Sequence, residues 1–213
     1  MAKLYVSNKD ESVKMFENDF LERFTKVHFS VPLLLYVPFV IYFLVQAVAD
    51  RGLMWWQIPA YFLLGILVWS ITEYVMHRFV FHYELPGKLG KRLHFIFHGV
   101  HHDYPNDSKR LVLPPSVSIP LALLFYYGFD ALLGNSLNAP FFAGFLVGYL
   151  FYDMLHYAVH HVNSNNKIFI ALKTHHLKHH FKEPNLGYGV SSPLWDVMVG
   201  TTFENKKNVR KGS

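Results

Sequence analysis

The histidines of this chain fall into four tight clusters: His77-x4-His82, His98-x2-His101-His102, His156-x3-His160-His161 and His176-x2-His179-His180. Thirteen of the 14 histidines lie at or after residue 77, and only His28 precedes them. Residues three and four apart share a helix face, so His98, His101 and His102 are expected to point into one cavity, as are His176, His179 and His180. His156 and His160 stand one helical turn apart. His77 and His82 are five apart, off one face of a regular helix, so a helix end or loop is expected to let both converge. Neutral imidazole suits zinc, copper, iron and nickel. A single cluster would be matched as well by a buried histidine pair, but four in one chain point to a metal site with more than one ion. A hydrolytic zinc site usually has three protein ligands and a water. Ten or more histidines are too many for that and suit two ions of higher coordination number, each keeping a position for water or dioxygen. Such a site points to redox chemistry, in which iron activates O₂ for attack on an unreactive C–H bond. Glu73 lies four before His77 and Asp153 three before His156, where either is placed to hold a ring N–H.

The elements that must carry these clusters are apolar. Of 213 residues, 52% are hydrophobic and 16% charged, a balance that points to a membrane protein. The absence of cysteine excludes disulfides, thiolate ligands and cysteine nucleophiles. Four apolar runs are long enough to span a bilayer, at about 31–49, 55–76, 114–133 and 140–158. Trp55 and Trp56 fit an interfacial anchor, and turns are expected at Asp50–Gly52 and Gly134–Asn138. The second and fourth runs lead directly into His77 and His156. Before the first run, Val13, Phe16, Phe20, Phe24 and Val27 recur at helical spacing, so residues 1–28 are expected to form an amphipathic helix on the membrane or packed on the protein. The start is polar and charged and carries no cleavable signal peptide.

Lysine and arginine distribute unevenly. Nineteen of the 20 lie before the first run, between the second and third, or after the fourth, leaving Arg51 alone on the other side. By the positive-inside rule both termini and all four histidine clusters face the cytoplasm. The Asn106-Asp107-Ser108 acceptor for glycosylation is then silent. The net charge of +5 thus reflects membrane orientation rather than nucleic-acid binding. The expected architecture is an all-α integral membrane protein. Four transmembrane helices in two hairpins stand under a cytoplasmic, histidine-rich helical cap, in one domain over 1–213. A site at the membrane face implies a lipid substrate entering from the bilayer.

Three stretches resemble the fatty acid 2-hydroxylases of the membrane di-iron fatty acid hydroxylase superfamily. They are Glu73-Tyr74-x2-His77-Arg78-Phe79-x-Phe81-His82, His94-Phe95-x2-His98-Gly99-x-His101-His102 and Tyr152-Asp153-x2-His156-Tyr157-x2-His160-His161. The stretch from Gly187 to Asp196 is similar to that family's C-terminal part, so the resemblance runs from about 60 to 203. It implies O₂-dependent hydroxylation at carbon 2 of a long acyl chain, free or in a sphingolipid. It implies ten metal ligands, His77, His82, His98, His101, His102, His156, His160, His176, His179 and His180, with His94, His161 and His175 outside the ligand set. It further implies two iron ions, replaceable by zinc in a purified sample. Many eukaryotic members carry a fused cytochrome b5 domain. The 213 residues have no room for one and no His-Pro-Gly-Gly haem motif, so electrons are expected from a separate carrier such as cytochrome b5 or ferredoxin. Other histidine-box oxygenases, namely acyl desaturases, sterol oxidases and carotenoid hydroxylases, share the box spacing. A metal transporter or store would instead line its spans with polar residues. Beyond Asp130 the spans hold almost none.

Overall fold

The computed structural model describes residues 3–50 and 52–203, and every regular element among them is helical. Helix α1 is Asp19–Arg23, α2 Ser30–Ala49 and α3 Gln57–Val75, and α3 runs on without a break into a π-helical turn, Met76–Phe81. Helix α4, Gly87–His94, likewise continues through a π-helical turn, Phe95–Gly99, into α5, Val100–Asp103. Helix α6 is Pro115–His161, α7 Lys167–Phe181 and α8 Leu194–Val199. Ser30–Ala49, Gln57–Phe81 and Pro115–His161 are long and apolar enough to cross a bilayer. The last is interrupted at Gly134, whose φ of 72° and ψ of 158° lie outside helical geometry, so α6 has two arms. The turn expected over Gly134–Asn138 thus shrinks to one residue, a conformation that a side chain would resist. Arg51, in the other expected turn, lies outside the described residues.

The bundle packs on the second arm of α6. Tyr36, Val40, Phe43 and Ala47 lie on one face of α2, at helical spacing. They bury against Ala139, Phe142, Ala143, Leu146 and Tyr149. Helix α3 comes closer still: a Cβ on Gly65 would stand 2.0 Å from Phe141 O, and one on Gly144 would stand 1.9 Å from Phe62 O. These two glycines let backbone meet backbone where α3 crosses α6, the device of small residues at interfaces between membrane helices.

The N-terminal segment corrects the expectation of an amphipathic helix over 1–28. Within its described part only Asp19–Arg23 is helical, capped by the Asn18 side chain accepting from Phe20 and Leu21 N. The rest is a strap, because its backbone groups find partners outside any local helix, on the Glu22 side chain and on residues 92–109. Val6 and Ser7 N–H donate to Asp103 O, and Val27 N–H to Lys109 O. Glu22 takes Met15 and Phe16 N–H, while the Arg92 guanidinium reaches Met15 O. A buried cluster, Glu22–Arg110–Asp107, fastens the strap to the loop after α5. Asn106 and Ser108, the expected glycosylation acceptor, are likewise stitched to Asn8 and Asp10 of the strap.

Candidate dimetal centre

Four segments bring the histidines together: the π-turn after α3, the π-turn into α5, the end of α6 and the end of α7. Asn166 starts α7 by accepting from Ile168 and Phe169 N–H. His77 and His82 meet at a helix end, as expected, and the end is a π-helical turn with His82 as its C-cap. His82 N–H donates to His77 O, five residues back, at 3.2 Å, and this wider π-turn returns position i+5 to the face of position i. The two rings then lie 5.0 Å apart.

The ten clustered histidines sort into two groups of five. His77, His82, His98, His102 and His179 form one, and His101, His156, His160, His176 and His180 form the other. Within each group the inward nitrogens all lie within 4.8 Å of one another. Each H-x2-HH box is therefore divided, contrary to the single cavity expected for it. His98 and His102 serve group one and His101 group two, while His176 and His180 serve group two and His179 group one. On a regular helix, position i+4 stands about 40° from i and i+3 about 60° to the other side. One box can thus face two ways. The groups touch where His102 stacks on His180 at 4.2 Å.

The donor set fits metal. His77 Nδ1–H donates to Tyr188 O at 2.5 Å, His179 Nδ1–H to Leu186 O at 2.8 Å and His156 Nδ1–H to Leu111 O at 2.9 Å. With the proton on Nδ1, the Nε2 lone pair of each points inward. His77 Nε2 faces His98 Nε2 at 3.0 Å, His179 faces His82 at 2.9 Å and His156 faces His101 at 2.9 Å. His98 Nε2 also lies 3.1 Å from His102 Nε2, and His176 Nε2 lies 3.0 and 3.1 Å from those of His160 and His180. A single ring proton cannot serve so many facing nitrogens. A cation can, and bonds of about 2.1 Å at right angles separate neighbouring nitrogens by about 3 Å. Burial, reinforced by neighbouring imidazoles, holds His98, His101, His176, His179 and His180 well below the ordinary histidine range and His102 at about 3. These rings are neutral at physiological pH, as ligands must be.

Neither Glu73 nor Asp153 accepts a hydrogen bond from an imidazole among the described residues, contrary to the role the sequence suggested. Each holds backbone instead. Glu73 Oε1 accepts Val190 and Ser191 N–H, both at 2.8 Å, and Asp153 Oδ2 accepts Leu113 N–H at 3.4 Å. Asp196, fully buried, is the residue that sequence reasoning left without a role. It accepts from Tyr188 N, Gly189 N, Thr201 Oγ1 and His175 Nε2 at 2.7–3.1 Å. Its place in the Gly187–Asp196 motif was the available signal. His175 is thereby explained, while His94 stands 3.7 Å from Glu84 and His161 stacks on Tyr157. His28 stays outside, paired with Ser30 Oγ.

A cavity of about 260 Å³ opens onto both groups. Its wall holds His98, His101 and His156, and its roof is the strap, with Met15, Phe16, Leu21 and Phe24. A second, almost wholly apolar cavity descends between α3 and α6 past Phe125 and Phe145. Phe81, Leu113 and Tyr152 line both.

Comparison with known proteins places the chain in a family. A family model described as fatty acid hydroxylase matches residues 62–201. Two dihydroceramide fatty acyl 2-hydroxylases of Arabidopsis thaliana are 35% and 38% identical over 192 and 197 residues, each match covering 90% of this chain and 80% of the relative. The fatty acid 2-hydroxylase of Homo sapiens is 33% identical, with 93% of this chain and 59% of the human protein covered. A solved structure described as full-length scs7p, with only the hydroxylase domain visible, superposes with a TM-score of 0.82 at 37% identity. That match covers 87% of this chain and 70% of the other.

Proposed function

Since this chain belongs to the fatty acid hydroxylase family, we propose that it performs O₂-dependent 2-hydroxylation of a long acyl chain, free or as the amide of a sphingolipid. Two facts support that substrate class: the names of its relatives, and an apolar cavity between α3 and α6 that shares Phe81, Leu113 and Tyr152 with the cavity beside the imidazoles. The observation that carries the reading is the pair of five-nitrogen groups, three of whose rings line the larger cavity. His77, His82, His98, His102 and His179 would hold one ion and His101, His156, His160, His176 and His180 the other. Two iron ions held there would supply activation of O₂ toward an unactivated C–H bond, with electrons from a separate carrier protein.

The chain's own part is positioning. Phe81, Leu113 and Tyr152 stand between the two cavities, so a tail laid along them would present the carbon beside the head group to His98, His101 and His156. The strap covers the larger cavity and excludes water from it. Leu34, Val48, Leu63 and Leu132 are 63–80% exposed on the apolar helices, which supports burial of these faces in lipid. We read α2, α3 and the two arms of α6 as four spans in one domain over 1–213, with both termini and the cap in the cytoplasm, on the charge asymmetry of the sequence.

Mass spectrometry of lipids from cells expressing the protein, with a cytochrome b5 reductase system present, tests the reading. The expected product is an acyl chain heavier by one oxygen at carbon 2. A chain lighter by two hydrogens would assign a desaturase, and unchanged lipids would remove the proposal.

A further inference from the structure

We infer that the two histidine groups hold their ions with unequal strength, and that group one is the tighter because Asp196 and Glu73 fix the loop that orients it. The inference rests on the dimetal reading above. An imidazole that binds through Nε2 keeps its proton on Nδ1, and the acceptor of that proton sets the ring's orientation and basicity. In group one, His77 and His179 donate to the carbonyls of Tyr188 and Leu186. Both carbonyls lie on one loop, and that loop is gripped from two sides. Asp196 takes the N–H groups of Tyr188 and Gly189 at 2.9 Å, and Glu73 takes those of Val190 and Ser191 at 2.8 Å. Asp196 is itself held by Thr201 and His175. Gly187, at a φ of 72°, makes the turn into this loop.

Group two has less. Of its five rings, His156 has a carbonyl acceptor, Leu111 O, and the carboxylate behind that loop, Asp153, reaches Leu113 N–H only at 3.4 Å. The Nδ1 atoms of His160, His176 and His180 are sealed from solvent with no acceptor in reach among the described residues. Three buried N–H groups thus lack the partner that would fix the ring, and packing alone sets their angle. Losing an outer partner of this kind typically weakens metal binding by 10–100-fold. Asp196 is therefore a positioning residue for group one.

The test is equilibrium titration of the metal-free, full-length protein with zinc in a chelator buffer, with anomalous scattering at the zinc edge to locate the first equivalent. Two binding steps separated by roughly tenfold or more are expected, the first placed at His77, His82, His98, His102 and His179. Equal filling of both groups, or first occupancy at His101, His156, His160, His176 and His180, would overturn the inference. Failure of either group to take zinc would instead sink the dimetal reading. Asp196→Asn is a second arm: it should weaken only the first step, by roughly tenfold, and draw the two steps together. An Asp196→Asn protein that folds and keeps the wild-type separation would also overturn the role assigned to Asp196. Should that variant fail to fold, the wild-type titration decides alone.

Discussion

The apolar bundle and the histidine cap are held by different kinds of contact. In the bundle, α3 meets α6 backbone to backbone at Gly65 and Gly144, and aromatic rings such as Phe43, Phe142 and Phe145 fill the remaining space. Few polar contacts help there. One is the bond from Tyr36 Oη to Ser118 Oγ. In the cap, named polar contacts at 2.5–3.1 Å fix key side chains, from His77 on Tyr188 O to Asp196 on Thr201. The bundle is thus sensitive to volume and the cap to the loss of a donor or acceptor. A change of shape at a glycine should cost folding, and a change of chemistry at an imidazole should cost the site while the fold persists.

The sharpest way to break this contrast is in the cap. Replacement of His156 or His179 by alanine is expected to abolish hydroxylated product and lower bound metal, measured by lipid mass spectrometry and elemental analysis on protein that still elutes as a folded species. Full activity in either variant would remove that residue from the site. The complementary change is in the bundle. Gly144→Val drives a side chain into Phe62 O and should destabilise by about 3 kcal/mol, the upper range for overpacking. Thermal unfolding in detergent reads this. An unshifted transition would show that α3 and α6 do not depend on the close approach.

The smallest effect expected is in acid. Burial alone would raise the Glu22 carboxyl. The Lys26 ammonium, the Phe16 and Met15 N–H groups and the Arg110 charge outweigh burial and hold it below its ordinary value of 4.5. A carboxyl lowered by folding contributes stability that is present above the unfolded value and lost as pH falls through the folded one. The strap should therefore loosen from about pH 4.5 downward, while α2 and α3 hold. Hydrogen exchange at residues 10–28 against α2 checks this, and Glu22→Gln should flatten the acid dependence. Loosening of both regions together would show that the strap and bundle are one cooperative unit.

The strap also marks where sequence reading fell short. Phe16, Phe20 and Phe24 do recur at helical spacing, but the backbone donors around them bond to Glu22 and to the loop after α5. A pattern of apolar spacing cannot see those partners, one a side-chain carboxylate and the other a loop more than 80 residues away. Gly134 has the same lesson in reverse. Gly134-Asn135-Ser136-Leu137-Asn138 read as a turn, yet the helix resumes directly after one glycine at positive φ.

Sequence alone determined which chemistry was available: imidazoles in four spaced boxes, no thiols, and apolar runs ending at those boxes. Residue type and spacing are local properties, and they suffice to say that metal-binding nitrogens will gather at the end of apolar helices. Tertiary structure alone decided which nitrogen goes to which group. Positions i+3 and i+4 of one box look in different directions, and the element each meets is a matter of long-range packing. The same holds for Glu73, Asp153 and Asp196, which act through backbone loops that no spacing rule connects to them.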